Sequence, residues 1–121
     1  MATKVLTVDD SRTMRDMLSH YLTEAGFEVM TAVDGADGVE KLHEFNPNVV
    51  ITDINMPVMD GFEFIEAVRS GDKNSRLPIL VLSTESDQEK KKRARDAGAT
   101  GWIVKPFDPE KLVSAVMQVM P

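Results

Sequence analysis

Carboxylates stand at the ends of short apolar runs in this sequence. Val8 is followed by Asp9 and Asp10, and the run Val49, Val50, Ile51, Thr52 ends on Asp53. A hydroxyl pair, Ser83 and Thr84, follows Val81 and Leu82, and Lys105 follows Ile103 and Val104. Clustered carboxylates raise one another's pKa and resist sharing a site while ionised. A hard divalent cation removes that conflict, and Mg2+ suits one or two carboxylates completed by carbonyl and water oxygens. A lysine opposite supplies a movable positive charge. An acid, a metal, a lysine and a hydroxyl are the parts phosphoryl transfer needs, because that chemistry is mostly positioning and charge neutralisation. A carboxylate is also a competent covalent nucleophile. Each residue has a plainer reading on its own. Asp9, Asp10 and Ser11 fit a helix N-cap, Lys105 before Pro106 fits an ordinary strand end, and one hydroxyl says little. Their meaning depends on whether they meet.

The elements that would bring them together follow from periodicity. Apolar runs of strand length occupy residues 4–9, 28–33, 48–53, 78–83 and 101–105. Segments with helical spacing lie between them. Met14, Met17, Leu18, Tyr21 and Leu22 form one face of the first, with Asp16, His20 and Glu24 opposite. Gly26 and Gly98 sit where a helix end needs positive φ, and Asn46 followed by Pro47 stops the second helix. Ser86 with Glu89 and Asp60 with Glu63 have capping-box spacing. Asp108, Pro109 and Glu110 start a last helix whose apolar face carries Leu112, Val113, Val116, Met117 and Met120. The polar segment 69–76 reads as a loop. Five strands alternating with five helices predict an α/β fold, a doubly wound parallel sheet covered on both faces. Ligands bind such sheets beyond the carboxyl ends of the strands, where the winding reverses. That edge would collect Asp9, Asp10, Asp53, Ser83 or Thr84, and Lys105. The second strand, ending at Val33 and Asp34, is expected on the outer edge.

Composition limits the alternatives. The 121 residues suffice for one domain, with 42% hydrophobic and 28% charged residues. With no cysteine, neither disulfides nor thiolate metal sites are possible. The net charge of −6 argues against a nucleic-acid binder, which needs a basic footprint. No run is long enough for a signal sequence or a membrane span, so a cytoplasmic protein is expected. The basic run Lys90, Lys91, Lys92, Arg93 and Arg95 reads as a solvated helix face or as part of a docking surface for acidic partners. His20 and His43 read as surface histidines.

Four motifs, VDDS at 8–11, TDINMPVMDG at 52–61, LSTES at 82–86 and KPF at 105–107, together resemble the response-regulator receiver domains. The single-domain chemotaxis regulators are the nearest kind, and the resemblance runs from Val5 to Met120. It implies a flavodoxin-like strand order 2-1-3-4-5. It also implies that Asp53 is the phosphoacceptor and that Asp10, Asp53 and the Asn55 carbonyl ligate Mg2+, with Asp9 acting through a coordinated water. Lys105 would pair with a phosphoryl oxygen and precede Pro106 through a cis bond. Ser83 would be the switch hydroxyl, in place of the commoner threonine. Trp102 occupies the aromatic switch position, where a smaller ring is usual, and also reads as a residue filling the core edge. Asn55 and Glu85 would flank the path of attacking water and tune its rate, or serve only loop solvation.

The expected function is that of a two-component response regulator: a histidine kinase phosphorylates Asp53, and the change switches partner binding. The output would be a flagellar motor switch protein, with a phosphatase as a further partner, or no output beyond draining a shared kinase as a phosphate sink. A single monomeric receiver domain over residues 1–121 is expected, with no effector domain after Met120. It would not be an enzyme in the usual sense, catalysing only its own phosphorylation and dephosphorylation. The rival is a phosphohydrolase of the haloacid-dehalogenase type, also an aspartyl-phosphate former. That group wants D-x-D after its nucleophilic strand, and here Asp53 is followed by Ile54 and Asn55.

Overall fold

In the computed structural model, residues 2–71 and 74–121 are described. Strands β1 (Lys4–Val8), β2 (Glu28–Ala32), β3 (Val49–Thr52), β4 (Ile79–Ser83) and β5 (Gly101–Val104) alternate with helices. The helices are α1 (Arg12–Glu24), α2 (Gly35–Phe45), α3 (Gly61–Ser70), α4 (Gln88–Ala97) and α5 (Pro109–Val119). All strand pairs are parallel, in the order β2-β1-β3-β4-β5. The chain thus winds outward in both directions from β1 and β3, and the expected fold and edge position of β2 are found.

Period-two alternation sorts each central strand onto two cores. Leu6, Val8, Val50, Ile79 and Val81 face α2, α3 and α4, where Leu42, Phe45, Phe64, Ile65 and Ala94 cover them. Val5, Val49, Ile51, Leu80 and Leu82 face the other way, against Leu18 and Leu22 of α1 and Leu112 and Val116 of α5. Each fully buried Leu, Ile or Phe contributes about 1.5–3 kcal/mol relative to exposure. These two cores hold the strand tips in fixed relation.

Several local expectations change. Four strands end one residue before the predicted limit, at Val8, Ala32, Thr52 and Val104, while β3 and β4 begin one residue late, at Val49 and Ile79. The amides of Asp9, Asp53 and Lys105 still bond to the neighbouring strand as the loops begin. Met17 and Met117 are 40% and 50% exposed; the fully buried stripes are narrower, Leu18 with Leu22 and Leu112 with Val116, and Met14 and Val113 pack beside them only partly covered. Met120 caps α5 from outside the helix. The cap of α4 is Asp87, whose carboxylate accepts from the Glu89 amide, so Ser86 forms no capping box there. The Asp60–Glu63 box is complete in both directions. Arg69 and Ser70 belong to α3 rather than to a loop; of that predicted loop, Asp72 and Lys73 lie outside the described residues.

Candidate phosphoacceptor site

The carboxyl edge of the sheet carries the acidic residues. β3 is buried along its whole length and pairs with β1 and β4. The Asp53 amide extends the ladder onto Val8 O at 2.9 Å, which brings its side chain to the sheet's end. There the Ile54 amide donates to Asp53 Oδ1 at 2.7 Å. The loop then turns tightly through Pro57, Val58 and Met59, and the Gly61 amide returns to Ile54 O at 2.8 Å. Only glycine fits at 61, since a Cβ there would collide with the Asp53 carbonyl.

β1 delivers the other two acids. The Asp9 amide continues the pairing onto Ala32 O, and Asp9 Oδ1 accepts from the Ser11 amide at 2.9 Å. Ser11 then caps α1 through the Met14 amide, so the loop does serve as an N-cap as well. Asp9 and Asp53 are 2% and 8% exposed, while Asp10 faces solvent. One oxygen from each of the three lies within 4.8 Å of the others.

Lys105 crosses from the end of β5. Its Nζ is 2.8 Å from Asp9 Oδ2 and 3.4 Å from Asp53 Oδ2. The Lys105–Pro106 bond is cis, and the Lys105 amide donates to Ser83 O. Burial pushes the Asp53 carboxyl above the usual aspartate range; Lys105 and the Ile54 amide oppose this, and Asp9 adds to it. For Lys105, burial disfavours the charge, but the Asp9 hydrogen bond and both carboxylates outweigh it and raise its pKa.

Of the hydroxyl pair, Ser83 is fully buried and Thr84 exposed. Ser83 Oγ accepts from the Glu85 amide at 3.1 Å. Trp102 is half-buried against the α2–α3–α4 core, and its indole Nε1 donates to Glu85 O at 2.9 Å. It therefore fills the core edge and is tied to the β4–α4 loop. Asn55 Nδ2 and Glu85 Oε1 lie 3.5 Å apart, so these two residues face each other rather than water alone.

Two contributors escaped the sequence reading. Arg15 donates Nη1 to Asp9 O at 2.8 Å, pinning the acidic loop from one turn into α1. Its place four residues after Ser11 was the available signal. Lys90 Nζ reaches Glu85 at 3.0 Å, singling it out of the basic run.

Three carboxylates against one lysine leave surplus negative charge, and all the donors are hard oxygens. Bonds of about 2.1 Å span ligand oxygens up to about 4.2 Å apart, close to the spacing here. The residues fit a small divalent cation.

Such an acidic cluster, faced by a lysine at the carboxyl edge of a doubly wound sheet, defines a flavodoxin-like domain whose site fits a small divalent cation. The profile of the response regulator receiver domain matches residues 5–117, and the chain belongs to that family. It is 41% identical over 120 residues to the chemotaxis protein CheY of Thermotoga maritima, covering 98% of each chain. It is 31% identical over 118 residues to protein PilG of Pseudomonas aeruginosa, covering 98% of this chain and 87% of that one. The solved structure of the chemotaxis response regulator CheY4 of Vibrio cholerae superposes with a TM-score of 0.94 at 48% identity, covering 99% of this chain and 100% of that one. Among the described residues, no helix is long and apolar enough to cross a membrane.

Proposed function

We propose that the chain works as a single receiver unit that takes a phosphoryl group from the phosphohistidine of a histidine kinase onto Asp53. The observation that carries this is the buried Asp53 carboxylate, held by the Ile54 amide and faced by Lys105 and two further acids. An Asp53 oxygen attacks phosphorus, the P–N bond breaks and the kinase imidazole departs. Lys105 stands where it balances the negative charge that arrives. Asp9, Asp10, Asp53 and the Asn55 carbonyl would hold Mg2+, which supplies charge neutralisation for the transferring group when bound.

Ser83 has a hydroxyl that can turn from the Glu85 amide towards the phosphoryl oxygens. That movement releases one of the bonds fixing the β4–α4 loop, and Trp102 carries the change to β5 through its own bond to Glu85. The repacked α4–β5–α5 region would then change partner binding. The likeness to proteins named for chemotaxis supports that setting for this chain.

With acetyl phosphate and Mg2+, intact mass should rise by one phosphate, and Asp53→Asn should abolish the rise. Uptake of phosphate by the Asp53→Asn protein at the wild-type rate would overturn the assignment.

A further inference from the structure

Glu85 is fixed from three directions. Its amide meets Ser83 Oγ, its carbonyl meets the Trp102 indole, and its carboxylate meets Lys90 Nζ at 3.0 Å. The two main-chain bonds place the loop, and among the described residues Lys90 and Asn55 are the side chains that reach the charge. The carboxylate is thereby set over Asn55, two residues along the chain from Asp53. Lys90 is distinct within the basic run. Lys92 pairs with Asp96 on the same helix, and Arg93 stacks at 4.0 Å from the Phe62 ring centroid.

The Lys90 and Glu85 side chains are 39% and 33% exposed, so their pairing contributes little to folding. Its effect falls on the neighbouring site. A carboxylate fixed at the rim repels an approaching phosphoryl dianion, whereas a carboxylate with an ammonium at 3.0 Å presents a nearly neutral dipole.

We propose that Lys90 is a positioning residue for phosphoryl entry, holding and neutralising the Glu85 carboxylate beside Asn55 so that this carboxylate adds no further negative charge on the path of an anionic donor. This rests on Asp53 being the phosphoacceptor. An unscreened rim charge near a dianion changes the entry rate by about 3- to 5-fold at low salt and much less within a short Debye length.

The test follows phosphate uptake from acetyl phosphate with Mg2+ by intact mass, at low and high salt, with thermal melts in parallel. Lys90→Gln should slow uptake by about 3- to 5-fold at low salt, with the gap closing at high salt and the melting temperature unchanged. Lys90→Arg should restore the rate. In an Glu85→Gln background, Lys90→Gln should have no further effect, which a merely structural role for Lys90 would not produce. Wild-type uptake with an unaltered Lys90→Gln rate, or equal slowing with Glu85 and with Gln at that position, overturns this proposal alone. No uptake by the wild type overturns the phosphoacceptor reading and this one with it.

Discussion

The Lys105 ammonium sits 2.8 Å from the carboxylate of Asp9, a residue 96 positions away in the chain. The same Nζ is 3.4 Å from Asp53. One lysine therefore serves two buried acids, and the shorter contact is with the acid that is not the proposed phosphoacceptor. Lysine and metal answer the same surplus of negative charge. They should compete in their effects on stability.

Lys105→Met tests this. Without metal, it leaves Asp9 and Asp53 unpaired in a buried site and should destabilise the fold by about 3 kcal/mol. The larger charge deficit should also make Mg2+ bind several-fold more tightly, so that Mg2+ raises the melting temperature of the variant more than that of the wild type. Thermal melts across a Mg2+ titration measure both effects. An equally stable metal-free variant with unchanged Mg2+ response would show that the pair carries no coupling.

The same contact sets an alkaline limit. Lys105 has a folded pKa above its unfolded value, so the native state holds its proton longer. The stabilisation is complete below the unfolded lysine value of about 10.4 and is lost as pH rises through the folded one. Urea unfolding across the alkaline range should show wild-type stability falling more steeply than that of Lys105→Met. Parallel curves would remove the lysine from the linkage.

The main architecture was legible because strands that alternate between two buried faces leave an unmistakable run of Val, Ile and Leu, and because Asp9, Asp53, Ser83 and Lys105 each follow such a run. What was not legible involves main-chain partners. The Trp102 indole bonds the Glu85 carbonyl and Arg15 bonds the Asp9 carbonyl, and a backbone acceptor leaves no pattern in residue types. The cap of α4 was misplaced by one residue for a related reason. Ser86 and Asp87 both qualify chemically, and the path of the loop decides between them. Met17 and Met117 satisfy helical spacing and still face outward, since periodicity gives a direction but not the width of the buried stripe.

Thr7 lies fully buried in β1, and among the described residues its hydroxyl has no hydrogen-bond partner. An unsatisfied buried hydroxyl costs roughly 1–3 kcal/mol, and valine has nearly its shape. Thr7→Val should therefore stabilise the protein by about 1 kcal/mol in urea unfolding. A loss of stability would mean that the hydroxyl has a partner when the protein is in solution.

Val58 is the one valine with positive φ among the described residues, at 70°, and it is 82% exposed. The Met59 amide closes onto Pro57 O at 2.7 Å across it, a γ-turn of the rarer, strained hand. A β-branched side chain is poorly suited to that backbone, and little packing compensates for it. Val58→Gly should raise stability by about 0.5–1 kcal/mol, the relief of strain exceeding the added chain entropy. Chemical denaturation measures it, and a destabilised variant would show that Val58 is held by contacts rather than strained.

Arg69 closes the opposite end of the molecule. Its Nε and Nη2 both donate to Gly98 O, at 3.0 and 2.7 Å, and Nη1 donates to Asn74 O at 2.9 Å. Gly98 is the left-handed cap of α4, with φ at 116°, and a Cβ there would lie 2.8 Å from Arg69 Cγ. The guanidinium fork thus binds the last turn of α3 to the end of α4. Arg69→Ala removes charged hydrogen bonds and strands two carbonyls, which should destabilise by about 2–3 kcal/mol. Arg69→Lys should recover only part of this, because an ammonium cannot reproduce the planar fork. The Gly98 and Ala99 amides, both bonded to Ala94 O, should exchange hydrogen faster in each variant. If their protection is unchanged while global stability falls, the end of α4 holds itself and Arg69 acts only through the segment at Asn74.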